Sequence, residues 1–108
     1  MSQRRKKLMA TKARFYRVTL KNGYGSTVNI FPAQRGDDLN SVVASNNIKV
    51  ENIDYLGWYD ITIIQAIDEI FFSVNVLGTV MRIHTGDVGY EYLLNQFRPI
   101  YNKIETQY

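Results

Sequence analysis

The stretch RFYRVTLKNGYGSTVNIF, residues 14–31, constrains the fold of this chain more than any other. Tyr16, Val18 and Leu20 alternate with Phe15, Arg17 and Thr19, the period-two pattern of a strand with one face against a core. Asn22-Gly23 and Gly25 then offer the residue types that accept the positive φ of a tight hairpin loop. Val28 and Ile30 read inward on the returning strand. Pro32 closes that strand, because proline has no N–H to donate to a continuing ladder. The expectation is an antiparallel hairpin that begins the sheet at Ala13.

The rest of the chain adds strands and two helices. RGDDLNSVVASNN (35–47) reads as a short helix over 37–45: Asp37 or Asp38 supplies an N-terminal cap, and Leu39, Val42 and Val43 form a narrow apolar stripe. IKVENIDYLGWYDITII (48–64) reads as strand, turn, strand, with a bend or bulge at Gly57. Residues 64–77 fit two templates. Ile64, Ile67, Ile70, Phe71 and Val74 make a helical stripe, whereas Phe72, Val74 and Val76 alternate as a strand. The β-branched and aromatic content favours a short helical turn near QAIDE followed by a hairpin through Leu77, Gly78 and Thr79. Tyr90, Leu93, Leu94, Phe97, Tyr101 and Ile104 share one face of a C-terminal helix capped by Thr85 or Asp87, and Pro99 is expected to kink or split it. The resulting fold is α+β, a small single domain over 13–108. It has an antiparallel sheet of four or more strands, with the short helix and the C-terminal helix packed on one face.

A length of 108 residues suits one domain. With 45% apolar residues, eight Tyr and five Phe, the chain has enough aromatic area to close a small core. Cysteine is absent, which excludes a disulfide framework and thiolate chemistry and is compatible with the cytoplasm. No apolar run approaches the ~20 residues of a membrane helix, and the basic start lacks the apolar stretch of a secretory signal, so no membrane partner is expected.

Charge is unevenly distributed. Residues 1–21 hold eight cations and no acid, whereas the remaining chain holds five basic and ten acidic residues. Residues 1–12 lack apolar periodicity and read as a flexible basic arm. One function follows directly: Arg4, Arg5, Lys6, Lys7, Lys12, Arg14 and Arg17 would contact phosphates, with Phe15 and Phe31 as stacking platforms for single-stranded nucleic acid. The competing reading buries both Phe residues and leaves the arm as a solvated tail; the acidic remainder also repels a phosphate backbone.

A second set points to protein partners. Tyr55, Trp58 and Tyr59 crowd Gly57, and Tyr92 falls off the apolar stripe of the C-terminal helix. Trp, Tyr and Arg are the residue types that anchor interfaces. Catalytic constellations are missing. His84 stands alone at a strand end, the acid pairs Asp37-Asp38 and Asp68-Glu69 point to different faces, and the Arg35-Gly36-Asp37 tripeptide is a chance-level match. No metal site and no cofactor is expected. The chain therefore reads as a non-enzymatic binding or regulatory module docking on another protein, such as a small accessory protein of viral or phage type. The alternatives are a nucleic-acid-binding protein and a self-assembling, homo-oligomeric subunit.

Overall fold

Two seventeen-residue strands, β1 (Lys6–Asn22) and β3 (Lys49–Gln65), pair antiparallel and form the frame of the molecule in a computed structural model. The structure describes residues 6–43 and 47–105, with side chains over 11–43 and 47–97. Around the frame lie β2 (Gly25–Pro32), the short helix α1 (Asp38–Val43), β4 (Ile70–Val76), β5 (Thr79–Ile83) and the C-terminal helix α2 (Tyr90–Glu105). All neighbouring strands are antiparallel, in the order β2-β1-β3-β4-β5. This is the expected α+β domain, its five-stranded sheet within the four or more expected; α1 and α2, however, cover different clusters rather than one face.

The frame is longer than the apolar pattern indicates. β1 starts at Lys6, so residues 6–12 are strand where a flexible arm was expected. Lys6 pairs with Gln65 and Lys12 with Asp60, so the backbone of β3 supplies the pairing that apolar alternation does not announce. Likewise β3 is one strand rather than strand, turn, strand. Its Gly57 has φ +109, and the register steps from Phe15↔Gly57 to Tyr16↔Tyr55, which leaves Leu56 as the extra residue of a bulge. A second step, from Thr19↔Asn52 to Leu20↔Val50, leaves out Glu51. Each bulge bends its strand and increases the local twist, and the sheet curls accordingly.

The hairpins are tight. Asn22 pairs with Gly25, and the Asn22 Oδ1 accepts from the N–H groups of Tyr24 (2.7 Å) and Gly25 (3.1 Å). Residues 66–69 are a reversal between β3 and β4, closed by the Ala66 N–H donating to the Glu69 carbonyl at 2.9 Å, and not the helical turn expected there. The β4–β5 hairpin turns at Leu77-Gly78 as expected. Helix α2 continues through Pro99 to Glu105 without splitting.

Two apolar clusters lie on opposite sides of β1. Phe15 and Val18 are three positions apart on a stretch of β1 with no extra residue between them, so they point to opposite faces, yet both are fully buried. Phe15 joins Ala13, Ile61, Ile63, Phe72 and Ile83 in the main core, which α2 covers with Tyr90, Leu93 and Phe97. The Phe72 ring lies 5.4 Å from Tyr90 and 6.3 Å from Phe97, and the Tyr90 hydroxyl donates to the Ile70 carbonyl at 2.7 Å. Val18, Ala33 and Leu39 of α1 form the second cluster, joined by Tyr16, Phe31 and Ile53. Val28, expected inward, is exposed on β2.

Candidate functional site

The site forms where β2 stops. Pro32 is the last residue of β2 and faces Phe15, so β1 has no β2 neighbour before that point. Ala33 and α2 take over. The Arg14 carbonyl accepts from the Ala33 N–H at 3.2 Å, and the Arg14 N–H donates to the Tyr92 hydroxyl at 3.2 Å. Gln96 Nε2 donates to the same hydroxyl at 3.0 Å. Tyr92 is therefore half-buried and satisfies the backbone of β1, rather than standing free for a partner as its place off the helical stripe suggests.

Beside this junction α1 and the start of α2 enclose a groove of about 850 Å³. Pro32, Ala33 and Leu39 contribute its buried lining, and Trp58 and Val42 its exposed apolar lining. Asp38, Asp87 and Glu91 add carboxylates. Trp58 sits directly across the ladder from Arg14, and the guanidinium lies 4.6 Å from the centre of the indole. Arg14 Nη1 also donates to the Gln34 carbonyl at 2.9 Å. These two contacts hold the cation as a ridge. On its far side a shallower groove of about 470 Å³ is lined by Tyr16, Tyr55, Arg35 and Asp37. Trp58 is 49% exposed and Tyr55 54% exposed, so both rings present area to a partner. Tyr59 does not: its ring meets Phe15 edge-on at 5.9 Å and its hydroxyl donates to the Leu56 carbonyl, which makes it part of the core wall.

Among the described residues, those expected to hold nucleic acid do not form an exposed aromatic face. Arg4 and Arg5 lie outside the described residues, as do the side chains of Lys6 and Lys7. Phe15 has no exposed surface, and Phe31 is half-buried against the second cluster, so neither ring is available for stacking as expected of an open sheet face. The cations of β1 meet the acids of β3 across the ladder: Lys12 with Asp60 at 4.0 Å, Arg17 with Asp54 at 3.5 Å, and Lys21 with Glu51 at 3.8 Å. Pairs this exposed contribute little stability, but they offset the local positive potential a phosphate backbone would need.

His84 directly follows β5, the strand end where it was expected, and has three neighbours there. Its Nδ1 lies 3.1 Å from Glu69 Oε1, its ring stacks on Phe71 at 4.6 Å, and its N–H donates to Asp87 Oδ2 at 2.8 Å. Asp87 thus braces the loop before α2, where a helix cap was expected. The sequence does contain one signal for the His84–Glu69 pair: both flank the β4–β5 hairpin, so pairing that hairpin brings its two ends together.

Fold and groove together define a small α+β domain, a curled five-stranded antiparallel sheet closed by a C-terminal helix. Comparison with protein-family models, with curated proteins and with solved structures finds no match to the chain. Among the described residues, no helix is long and apolar enough to cross a membrane.

Proposed function

We propose that this chain is a non-enzymatic docking module that holds another protein against the Trp58–Arg14 ridge and the groove between α1 and α2, in the cytoplasm. The observation that carries the reading is the half-exposed Trp58 ring, stacked by Arg14 beside an apolar groove. Trp, Tyr and Arg dominate binding energy because they bury much area while keeping a polar handle, and a concave apolar neighbour provides the desolvated pocket such anchors use. The cross-strand ion pairs and the burial of Phe15 speak against the nucleic-acid alternative.

The test places a photo-crosslinking amino acid at position 42, in the groove, and at position 28, on β2. Both residues are 58% exposed, so bulk accessibility is matched. In native host cells the position-42 chain should yield discrete protein adducts that Trp58→Ala reduces at least tenfold, as expected of a hot-spot residue. Equal labelling at both positions would abandon the groove as a docking site.

A further inference from the structure

We infer that the groove between α1 and α2 receives the cationic segment Arg4–Lys7 of a second copy of this chain. The inference deepens the docking reading and rests on it for the location of the surface.

Charge bookkeeping inside the fold motivates the choice. Cross-strand pairing uses Asp60, Asp54 and Glu51, Arg35 takes Asp38, and His84 takes Glu69. Among the described residues, that leaves Asp37, Asp68, Asp87 and Glu91 without an ion pair. Asp87 and Glu91 line the main groove and Asp37 the adjoining one. The same pairing uses Lys12, Arg17 and Lys21 from the basic end, while Arg14 is held by Trp58 and Gln34. Ahead of these, the sequence places Arg4, Arg5, Lys6 and Lys7, a run of four cations with no acid in the first 21 residues.

The apolar lining suits such a segment as well as the acids do. Arg and Lys lay aliphatic stems along apolar surface while their heads stay polar, and a guanidinium stacks on an indole. Pro32, Leu39 and Val42 offer the surface for stems, Trp58 the ring, and Glu91 and Asp87 the carboxylates.

The partner is a second copy because the same molecule does not reach. The groove adjoins Arg14, and Lys6 lies eight strand residues away, a span of about 26 Å at ~3.3 Å per residue. Arg4 is two residues beyond Lys6, a reach of about 7 Å along the chain even when fully extended. Its side chain does not bridge the difference, whereas a neighbouring molecule meets no such limit. Reciprocal engagement closes a two-fold dimer, and one-way engagement grows a chain of copies.

The experiment is sedimentation velocity on the purified full chain at about 50 mM and about 500 mM NaCl, where screening lengths differ severalfold. Self-association should appear at low salt and fall at least tenfold at high salt. Arg4→Glu/Arg5→Glu and, separately, Glu91→Lys should each weaken it by about tenfold, the loss of a close charge pair at an interface. Mixing the two variants should restore association between them, which a merely structural defect would not do. A wild-type chain that stays monomeric at both salts overturns the inference, and so does an Arg4→Glu/Arg5→Glu chain that associates like wild type. Retention of a fluorescent single-stranded oligonucleotide by a monomeric wild-type chain, lost on Arg4→Glu/Arg5→Glu, would instead assign the segment to nucleic acid. If the chain is monomeric while position 42 crosslinks a different protein, the second-copy occupant fails and the docking reading stands. If position 42 yields no specific adduct either, both fail.

Discussion

Gly89 packs against Pro32 so closely that any side chain at position 89 collides with the end of β2. A Cβ there would lie 2.6 Å from the Pro32 carbonyl oxygen and closer still to the proline ring. Gly89 also has φ +89, immediately before α2. The contact sets where α2 enters the fold, and with it the position of Tyr92 and Glu91 along the groove. Gly78 makes a useful comparison, since its φ of +88 is nearly identical but nothing lies within 4 Å of its Cβ position. Gly78→Ala should cost about 1 kcal/mol, the backbone strain alone. Gly89→Ala should cost about 2–4 kcal/mol, strain plus overpacking. Urea denaturation of the two variants measures the difference. Equal losses would mean that the α2 entrance yields to a methyl group and does not fix the groove.

Phe15 and Trp58 separate the core from the proposed binding surface. Phe15 has no exposed area and touches Tyr59 edge-on. Phe15→Ala should lower stability by about 3–5 kcal/mol, enough to unfold much of a small domain at 37 °C. Trp58 is half-exposed and its described ring contact is the Arg14 guanidinium, so Trp58→Ala should lose only about 0.5–1.5 kcal/mol. Its effect should fall on docking. Equal destabilisation by the two substitutions, read from the same urea titrations, would assign Trp58 to the core.

How much of this was readable beforehand follows the range of the interactions. The β1–β2 hairpin, helix α1, the Leu77-Gly78 hairpin and helix α2 all depend on residues close in sequence, and each was legible. The length of β1 was not, because residues 6–12 are strand by virtue of β3, whose partner residues lie about fifty positions away. Gly57 reads from the sequence as a bend or bulge. Only the pairing with Phe15 shows that the chain bends there yet continues as one strand. The burial of Phe15 beneath the C-terminal helix is the competing sequence reading and Val18 reads inward, but alternation does not say that a different cluster covers each face. In the site, Arg14, Trp58 and Tyr92 were identifiable by residue type. Their convergence required the β1–β3 register and the early end of β2. Pro32, Val42, Asp87 and Glu91 had no local signature at all as groove residues.

His84 and Glu69 tie the β3–β4 reversal to the loop before α2. The pair is 3.1 Å apart, with side chains 42% and 33% exposed. Solvent screening keeps such a pair modest. A double-mutant cycle with His84→Ala and Glu69→Ala should give a coupling energy of about 0.2–1 kcal/mol, shrinking as salt is raised. His84→Ala alone should lose somewhat more, because the Phe71 stack goes with it. A coupling energy of zero at low salt would show that the two loops are held by Asp87 and the hairpin without help from the pair.

Leu77 occupies a conformation that suits other residues better. Val76 pairs with Thr79, so Leu77 and Gly78 form a two-residue loop, and both have positive φ, +52 and +88. That is a type I′ turn, whose first position favours Asn, Asp or Gly because a branched carbon chain crowds the backbone there. The Asn75 Oδ1 accepts from the Gly78 N–H at 3.0 Å and steadies the loop from outside it. Leu77 is also 64% exposed, so little buried area is lost on replacing it. Leu77→Asn should therefore stabilise the domain by about 0.5–1 kcal/mol, which for a chain of this size raises Tm by roughly 2–8 °C. Differential scanning calorimetry reads the shift directly. A fall in Tm would mean that the exposed leucine is covered in solution, either by the chain itself or by another copy seated on the β4–β5 hairpin, and the mass of the variant relative to wild type would tell those two apart.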